Sequence, residues 1–267
     1  MAGKKTKPKR KLNKSRAQEK EDLRQELNED QEYPPIVFAQ NPIKTKIKVK
    51  NFPWTDNQKE FFKVALHPAT KIMLVNGPAG TSKTLLSVYC GLQLLNMRVI
   101  SDIMYLRSAV ESSNSHLGFL PGSAEDKLRF YNMPFLDKLD ELVSNVSTEK
   151  LEKEGRISVF PVNFARGMHW DSKCIILDEA QNSTVKEITT VLTRMGNNSK
   201  AFILADPMQT DLRQENIQGG FENIMRVFSD EESEDFGIRT FRFSEEDIMR
   251  SELVKYIIKK LNAKEIL

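Results

Sequence analysis

The sequence predicts an α/β fold, a mostly parallel sheet with helices on both faces, and three observations predict it. Residues 72–76 form an apolar run of strand length, followed by a glycine-rich turn and a helical stretch from Leu85. Residues 174–177 form a second apolar run that closes on two carboxylates, Asp178 and Glu179. Residues 201–205 repeat the pattern and end in Asp206 and Pro207. Apolar strands alternating with helices are buried on both faces, which argues parallel pairing.

Taken in order, residues 1–45 read as a charged tail, disordered or partly helical, and residues 46–267 as the folded domain. The first twenty residues carry nine Lys or Arg against Glu19 alone, while the remainder, with 31 basic and 36 acidic residues, is net −5. That basic stretch lacks aromatic and β-branched clusters, so it cannot bury enough surface to fold. It reads either as an arm on nucleic-acid phosphates or as a solvated terminus. Residues 17–32 have the pattern of a charged helix, ended by Pro34 and Pro35. Residues 44–50 alternate with period two, the mark of a lysine-protected edge strand. Thr55 to Gln58 opens a helix with capping-box spacing. Gln58 has a competing use, because a carboxamide donates and accepts at once and so matches N6 and N7 of adenine. Further strands are expected at 103–106, 157–160 and 240–243. The loop over 108–134 carries Phe119, which stacks on bases beside a phosphate contact from Arg107 or else anchors the loop to the core.

The turn is Gly77, Pro78, Ala79, Gly80, Thr81, Ser82, Lys83, Thr84. Strand, glycine-rich turn and helix, in that order, make a phosphate-binding loop: backbone N–H groups and the helix N-terminus face the phosphates. Lys83 is expected on the β/γ-phosphates and the Thr84 hydroxyl on Mg²⁺. The usual glycine before the lysine is Ser82 here, a residue comfortable at a helix start. Asp178 is expected to hold hydrated Mg²⁺ and Glu179 to orient and deprotonate water; the bland alternative is that both cap the next helix. Gln209, past the end of the third strand, is placed to sense the γ-phosphate; there too a plain strand exit is the alternative. ATP and Mg²⁺ are the expected ligands.

The length suits one large α/β domain. No twenty-residue apolar span or signal peptide is visible, so no membrane partner and a cytoplasmic location are expected. Cys90 and Cys174 read as buried thiols, and His67, His116 and His169 have no ligand spacing.

From about Thr55 onward the chain resembles the PhoH-like (phosphate-starvation-inducible) ATPases. The match runs through Asn57 and Gln58, residues 77–84, 107–111, 117–122, Arg166 and Gly167, 175–182, 192–196, 206–212 and 247–254. The family departs from this chain at Ser82, and after Gln209, where Leu212, Arg213, Gln214 and Glu215 replace a proline-arginine-glycine run. The resemblance implies one RecA-like P-loop core related in motifs to superfamily-one helicases. It also implies ATP hydrolysis coupled to RNA or single-stranded DNA by a homo-oligomeric, hexameric ring. With one core per chain, an arginine must reach the nucleotide from a neighbouring subunit; Arg250 is the first candidate, then Arg213 and Arg194. The runner-up reading is an ATP-gated nucleic-acid-binding module with weak or no turnover. A small phosphotransferase fits less well, because Asp178 and Glu179 suit water activation better than placing an acceptor hydroxyl.

Overall fold

The computed structural model describes residues 38–107, 124–206 and 220–249, with Leu253, Tyr256 and Lys260 beyond; over 124–132 only the backbone is described. Six strands form one sheet in the order β3-β2-β4-β5-β1-β6. They are β1 (Ile72–Asn76), β2 (Asp102–Arg107), β3 (Ile157–Pro161), β4 (Lys173–Asp178), β5 (Lys200–Ala205) and β6 (Ile238–Arg242). Every pairing is parallel, with Ile72 opposite both Ala201 and Ile238, and Arg107 opposite both Pro161 and Asp178. The expected α/β class, a parallel sheet with helices on both faces, is therefore present.

Alternation along the strands builds two cores. Met73, Val75, Tyr105, Ile176, Phe202 and Leu204 face one side. There α1 (Asp56–Leu66), α2 (Lys83–Asn96) and α3 (Ala124–Leu142) cover them. Leu74, Met104, Ile175, Leu177 and Ile203 face the other side and pack with Ile188 and Val191 of α5 (Val185–Leu192) and with α6 (Phe221–Val227). Two short helices, α4 (Thr148–Lys153) and α7 (Glu231–Asp235), precede β3 and β6. Their N-caps Ser147 and Asp230 each accept a backbone N–H, from Lys150 and Ser233.

Two expectations about the start of the domain are corrected. Residues 44–50 are not a sheet strand: among the described residues Val49 makes an isolated antiparallel bridge to Val143, and the segment joins no sheet. The period-two pattern does bury Ile47. Its backbone partners, however, are side chains and a helix end: Asn96 accepts from Ile47 N–H at 2.8 Å, Asn145 from Lys48 N–H at 2.7 Å, and the Leu142 carbonyl from Lys50 N–H at 2.7 Å. Residues 38–45, assigned to the tail, pack on the domain: Ala39 and Ile43 are buried, and the Ala39 N–H donates to the Arg98 carbonyl at 2.9 Å. The tail before them lies outside the described residues.

Candidate nucleotide site

β1 delivers the chain at Asn76 into the glycine-rich turn, and α2 begins at Lys83. A Cβ on Gly77 would stand 2.6 Å from the Cβ of Phe243, so the close approach of loop and post-β6 segment requires glycine. Gly80 has φ 87° and Ser82 φ 65°, both left-handed. Ser82 was expected to suit the helix start as a serine. Instead its side chain makes no cap hydrogen bond, and a residue with a Cβ occupies a conformation that glycine adopts without cost.

Lys83 Nζ donates to the Gly77 carbonyl at 2.6 Å and to the Pro78 carbonyl at 3.0 Å. Burial lowers its pKa, opposed by the charges of Asp206, Asp178 and Glu179. The ammonium is therefore desolvated and held by carbonyls of its own loop, a state that an anion in the loop improves. Thr84 Oγ1 donates to Asp178 Oδ2 at 2.9 Å. The buried Tyr105 hydroxyl donates to the same oxygen at 2.8 Å, and Glu179 N–H donates to Asp178 Oδ1 at 3.0 Å. Burial, and next Asp178, push the Tyr105 pKa well above its usual value, so it remains a donor.

β4 ends at Asp178, and Glu179 follows with φ 53°, left-handed. That bend turns its carboxylate into the cleft, where Gln181 Nε2 donates to Glu179 Oε2 at 2.5 Å. The same Gln181 accepts from Asp206 N–H at 3.0 Å, clamping the ends of β4 and β5 together. Burial and the Asp178 charge raise the Glu179 pKa; Gln181, Arg107 and Lys83 oppose the rise. A raised carboxylate pKa brings the group nearer the working range of a general base.

These groups line one cleft of about 420 Å³, which Ala79, Gly80, Ser82 and Asp206 also line. Lys138 and Glu141 of α3, paired at 3.0 Å, join it, as does Met249, whose N–H donates to the Gly80 carbonyl at 2.9 Å. Among the described residues no cluster of three or more His, Cys, Asp or Glu forms. The Thr84 hydroxyl and the Asp178 carboxylate offer oxygen donors of the kind that would suit a hard cation such as Mg²⁺.

Of the residues predicted for the site, Ala79, Gly80, Ser82, Lys83, Thr84, Asp178 and Glu179 line this cleft, while the Gly77 and Pro78 carbonyls hold Lys83 and Thr81 is buried behind them. Gln58 is buried in the capping box: its N–H donates to Thr55 Oγ1 at 3.2 Å, and its Oε1 accepts from Thr55 N–H at 3.0 Å. The acceptor half of the proposed adenine contact is thus engaged. Gln209, Arg213, Arg250 and Phe119 lie outside the described residues. Arg194 is half-buried with its Nε enclosed and without a partner. Sequence reasoning missed Tyr105, the clamping role of Gln181, and Met249. Gln181 and Met249 carried a signal, since both lie in stretches of the family resemblance, 175–182 and 247–254; Tyr105 carried none.

The profile of the family described as PhoH-like protein matches residues 50–262. The chain belongs to that family. It is 35% identical over 221 residues to a PhoH-like protein of Bacillus subtilis, covering 83% of this chain and 66% of that one. A PhoH-like protein of Mycobacterium tuberculosis is 34% identical over 206 residues, 77% of this chain and 56% of that one. Protein PhoH of Escherichia coli is 31% identical over 185 residues, 68% of this chain and 51% of its own. The chain thus spans between about half and two thirds of the length of these relatives. Among solved structures, the Pif1 helicase from Candida albicans aligns with 79% of this chain and 44% of its own at 15% identity and a TM-score of 0.41. Among the described residues no helix is long and apolar enough to cross a membrane.

Proposed function

We propose that this chain is an Mg²⁺-dependent ATPase whose hydrolysis is coupled to binding or moving along RNA or single-stranded DNA. One observation supports it above the others: Lys83, Thr84, Asp178 and Glu179, from two separate strand ends, share one cleft beside a left-handed loop. Lys83 exchanges its loop carbonyls for β/γ-phosphate oxygens. Thr84, and Asp178 through water, would hold Mg²⁺, which would supply charge neutralisation at the phosphates. Glu179 takes a proton from water at its carboxylate, with Gln181 fixing the orientation. The fixed Glu179 favours turnover over a purely ATP-gated binding module. A carboxylate placed to activate water, rather than to position an acceptor hydroxyl, argues against a phosphotransferase.

The nucleic-acid half of the reading rests on the basic first twenty residues and on Arg107, which ends β2 at the same sheet edge. A homo-oligomeric ring, hexameric by resemblance, supplies the trans arginine. With the Arg194 guanidinium partly enclosed, Arg250 leads and Arg213 follows. Two free, buried cysteines suit a reducing, cytoplasmic setting.

Phosphate release measured against RNA, single-stranded DNA and duplex DNA tests the proposal. Stimulation by single strands is expected, and a flat response to all three removes the coupling. Deleting residues 1–20 is expected to leave basal hydrolysis intact and to shallow the log–log salt slope of binding by about 0.7–0.9 per lost phosphate contact. Mixing Arg250→Ala with Lys83→Ala subunits is expected to restore part of the activity if the arginine acts in trans.

A further inference from the structure

Residues 46–50 carry a row of lysines that no sheet explains. Lysines on an exposed sheet edge keep other strands from pairing with it, but this segment joins no sheet among the described residues. Lys46, Lys48 and Lys50 are exposed, whereas Ile47 is buried and Val49 half-buried beneath them. Among the described residues none of the three ammonium groups is paired with a carboxylate. The carboxylates beside Leu142, where the row ends, are taken: Asp140 accepts from Thr148 Oγ1, and Glu141 pairs with Lys138 at 3.0 Å.

The backbone under the row is fixed along both edges. On one edge Ile47 N–H donates to Asn96 Oδ1 at 2.8 Å, and the Ile47 carbonyl accepts from Asn96 Nδ2 at 2.9 Å. On the other edge the lysine residues themselves are bonded. Lys48 N–H donates to Asn145 Oδ1 at 2.7 Å, and the Lys46 carbonyl accepts from Asn145 Nδ2 at 3.1 Å. The Lys48 carbonyl accepts from Ser144 N–H at 3.2 Å, and Lys50 N–H donates to the Leu142 carbonyl at 2.7 Å. Alternate residues of an extended chain share a face and follow one another at about 6–7 Å. Asn96 ends α2, which begins at Lys83, and Leu142 ends α3, whose Lys138 and Glu141 line the nucleotide cleft. Lys46 and Lys48 precede residues 50–262, the stretch that the family profile matches.

We propose that Lys46, Lys48 and Lys50 seat successive phosphates of a single-stranded nucleic acid. This deepens the nucleic-acid half of the function proposed above and rests on it. Unpaired ammonium groups in a regular row complement a polyanion of regular charge, and a backbone held in advance loses little freedom on binding. A straight row follows a strand drawn out along it, whereas the phosphates of a duplex wind away round the helix axis. Lysine meets phosphate as a point charge and reads no base, so the contact is indifferent to sequence. Through Asn96 and Leu142 a strand on the row acts on the same two helices that border the nucleotide.

The experiment measures binding of the full chain across salt concentrations. Its probes are labelled oligo-U RNA, oligo-A RNA, single-stranded DNA, duplex DNA, and phosphatidylcholine vesicles carrying phosphatidylserine. The parent is compared with the triple variant Lys46→Gln, Lys48→Gln, Lys50→Gln and with the same three positions changed to Arg. The Gln triple is expected to shallow the log–log salt slope on single strands by about 2, at ~0.7 per lost phosphate contact. At about 0.1 M salt its affinity should fall by about 10- to 100-fold, equally on oligo-U and oligo-A. The Arg triple should keep the parent slope, and both variants should keep the parent Tm and basal phosphate release because the changed side chains are exposed. An unchanged slope on single strands in the Gln triple overturns the proposal, as does an Arg triple that behaves like the Gln triple. A loss confined to duplex DNA, to one base sequence or to vesicles overturns it too. If the parent binds single strands and the Gln triple binds them as well, only the lysine row falls. If the parent binds no single strand, the nucleic-acid half of the proposed function falls with it.

Discussion

The two ends of the sheet both bury charge, and they bury it differently. At the amino end each charged group is closed by a partner that belongs to the fold. Lys173 Nζ grips both oxygens of Asp102 at 2.7 and 2.8 Å, and Arg156 donates to the carbonyls of Asn41 and Ser101 at 2.7 and 2.9 Å. Lys200, fully enclosed, donates to the Ala65 and His67 carbonyls at 2.5 and 3.0 Å, at the C-terminal end of α1. At the carboxyl end the partners are ones a ligand can replace: Lys83 holds its own loop, Thr84 holds Asp178, and Gln181 holds Glu179. Ser82 and Glu179 have left-handed backbones beside the cleft, as Arg98, Ser172 and Asn198 do before the strands at the other end. Parallel strands explain why the ends can specialise, since all six carboxyl ends and the helix N-terminus of α2 meet on one side.

The largest effects should come from breaking the carboxyl end. Lys83→Ala is expected to abolish nucleotide binding, measured by titration with a fluorescent ATP analogue, while leaving the Tm unchanged or higher because a desolvated charge is removed. Glu179→Gln should bind ATP normally yet lose about 10²–10⁴ in kcat. Hydrolysis at the parent rate in Glu179→Gln would falsify its role as the base. In the parent, kcat should fall with acid at a higher pH than an ordinary glutamate dictates, because burial and Asp178 raise the pKa of the group that must be ionised.

At the amino end a charge change should alter stability and leave chemistry alone. Burial lowers the Lys200 pKa from 10.5 to about 8. Between those values the unfolded chain binds the proton that the folded chain has lost, so this group makes stability rise with pH across that window. At ~1.4 kcal/mol per unit the rise is roughly 3 kcal/mol, all of it a penalty still present at neutral pH. Lys200→Met should erase the rise in denaturant melts from pH 7 to 10. It should also leave neutral-pH stability equal or higher by up to about 2 kcal/mol, after loss of the two carbonyl bonds.

Smaller effects sharpen the contrast. Tyr105→Phe removes one charge-assisted hydrogen bond from Asp178 and should cost about 1.5 kcal/mol in denaturant melts. It should also raise the Mg²⁺ concentration for half-maximal activity by about tenfold. Ser82→Gly relieves a left-handed Cβ residue at the expense of chain entropy, a net gain of about 0.5 kcal/mol with activity kept or raised. Loss of most activity in that variant would show that the serine hydroxyl has a use at the phosphates.

Much of the site was legible in the sequence because its parts are local. A strand, a turn of fixed length and a helix start place Lys83 and Thr84 whatever surrounds them, and an apolar run ending in Asp178 and Glu179 marks a strand end by itself. The alternation that buries Met73 and Val75 on one face and Leu74 on the other is equally local. It failed at residues 44–50, where period two was correct for Ile47 but, among the described residues, no strand pairs with the segment beyond one bridge at Val49. Periodicity reports which side chains face inward, not which backbone receives the hydrogen bonds.

What only the tertiary structure decided depends on residues far apart in the chain. Tyr105 reaches Asp178 because β2 and β4 are neighbours in a register that sets Arg107 opposite Asp178. Met249 reaches Gly80 because β6 lies beside β1, and Lys200 reaches the end of α1 because β5 does. No local pattern encodes strand order, so none could name those partners. By itself the sequence determined the class of fold and the candidate residues of the glycine-rich turn and the end of β4, through short-range spacing and hydrophobic pattern. Packing decided which charges are closed and which wait for a ligand, because that depends on what the sheet brings within about 3 Å of each one.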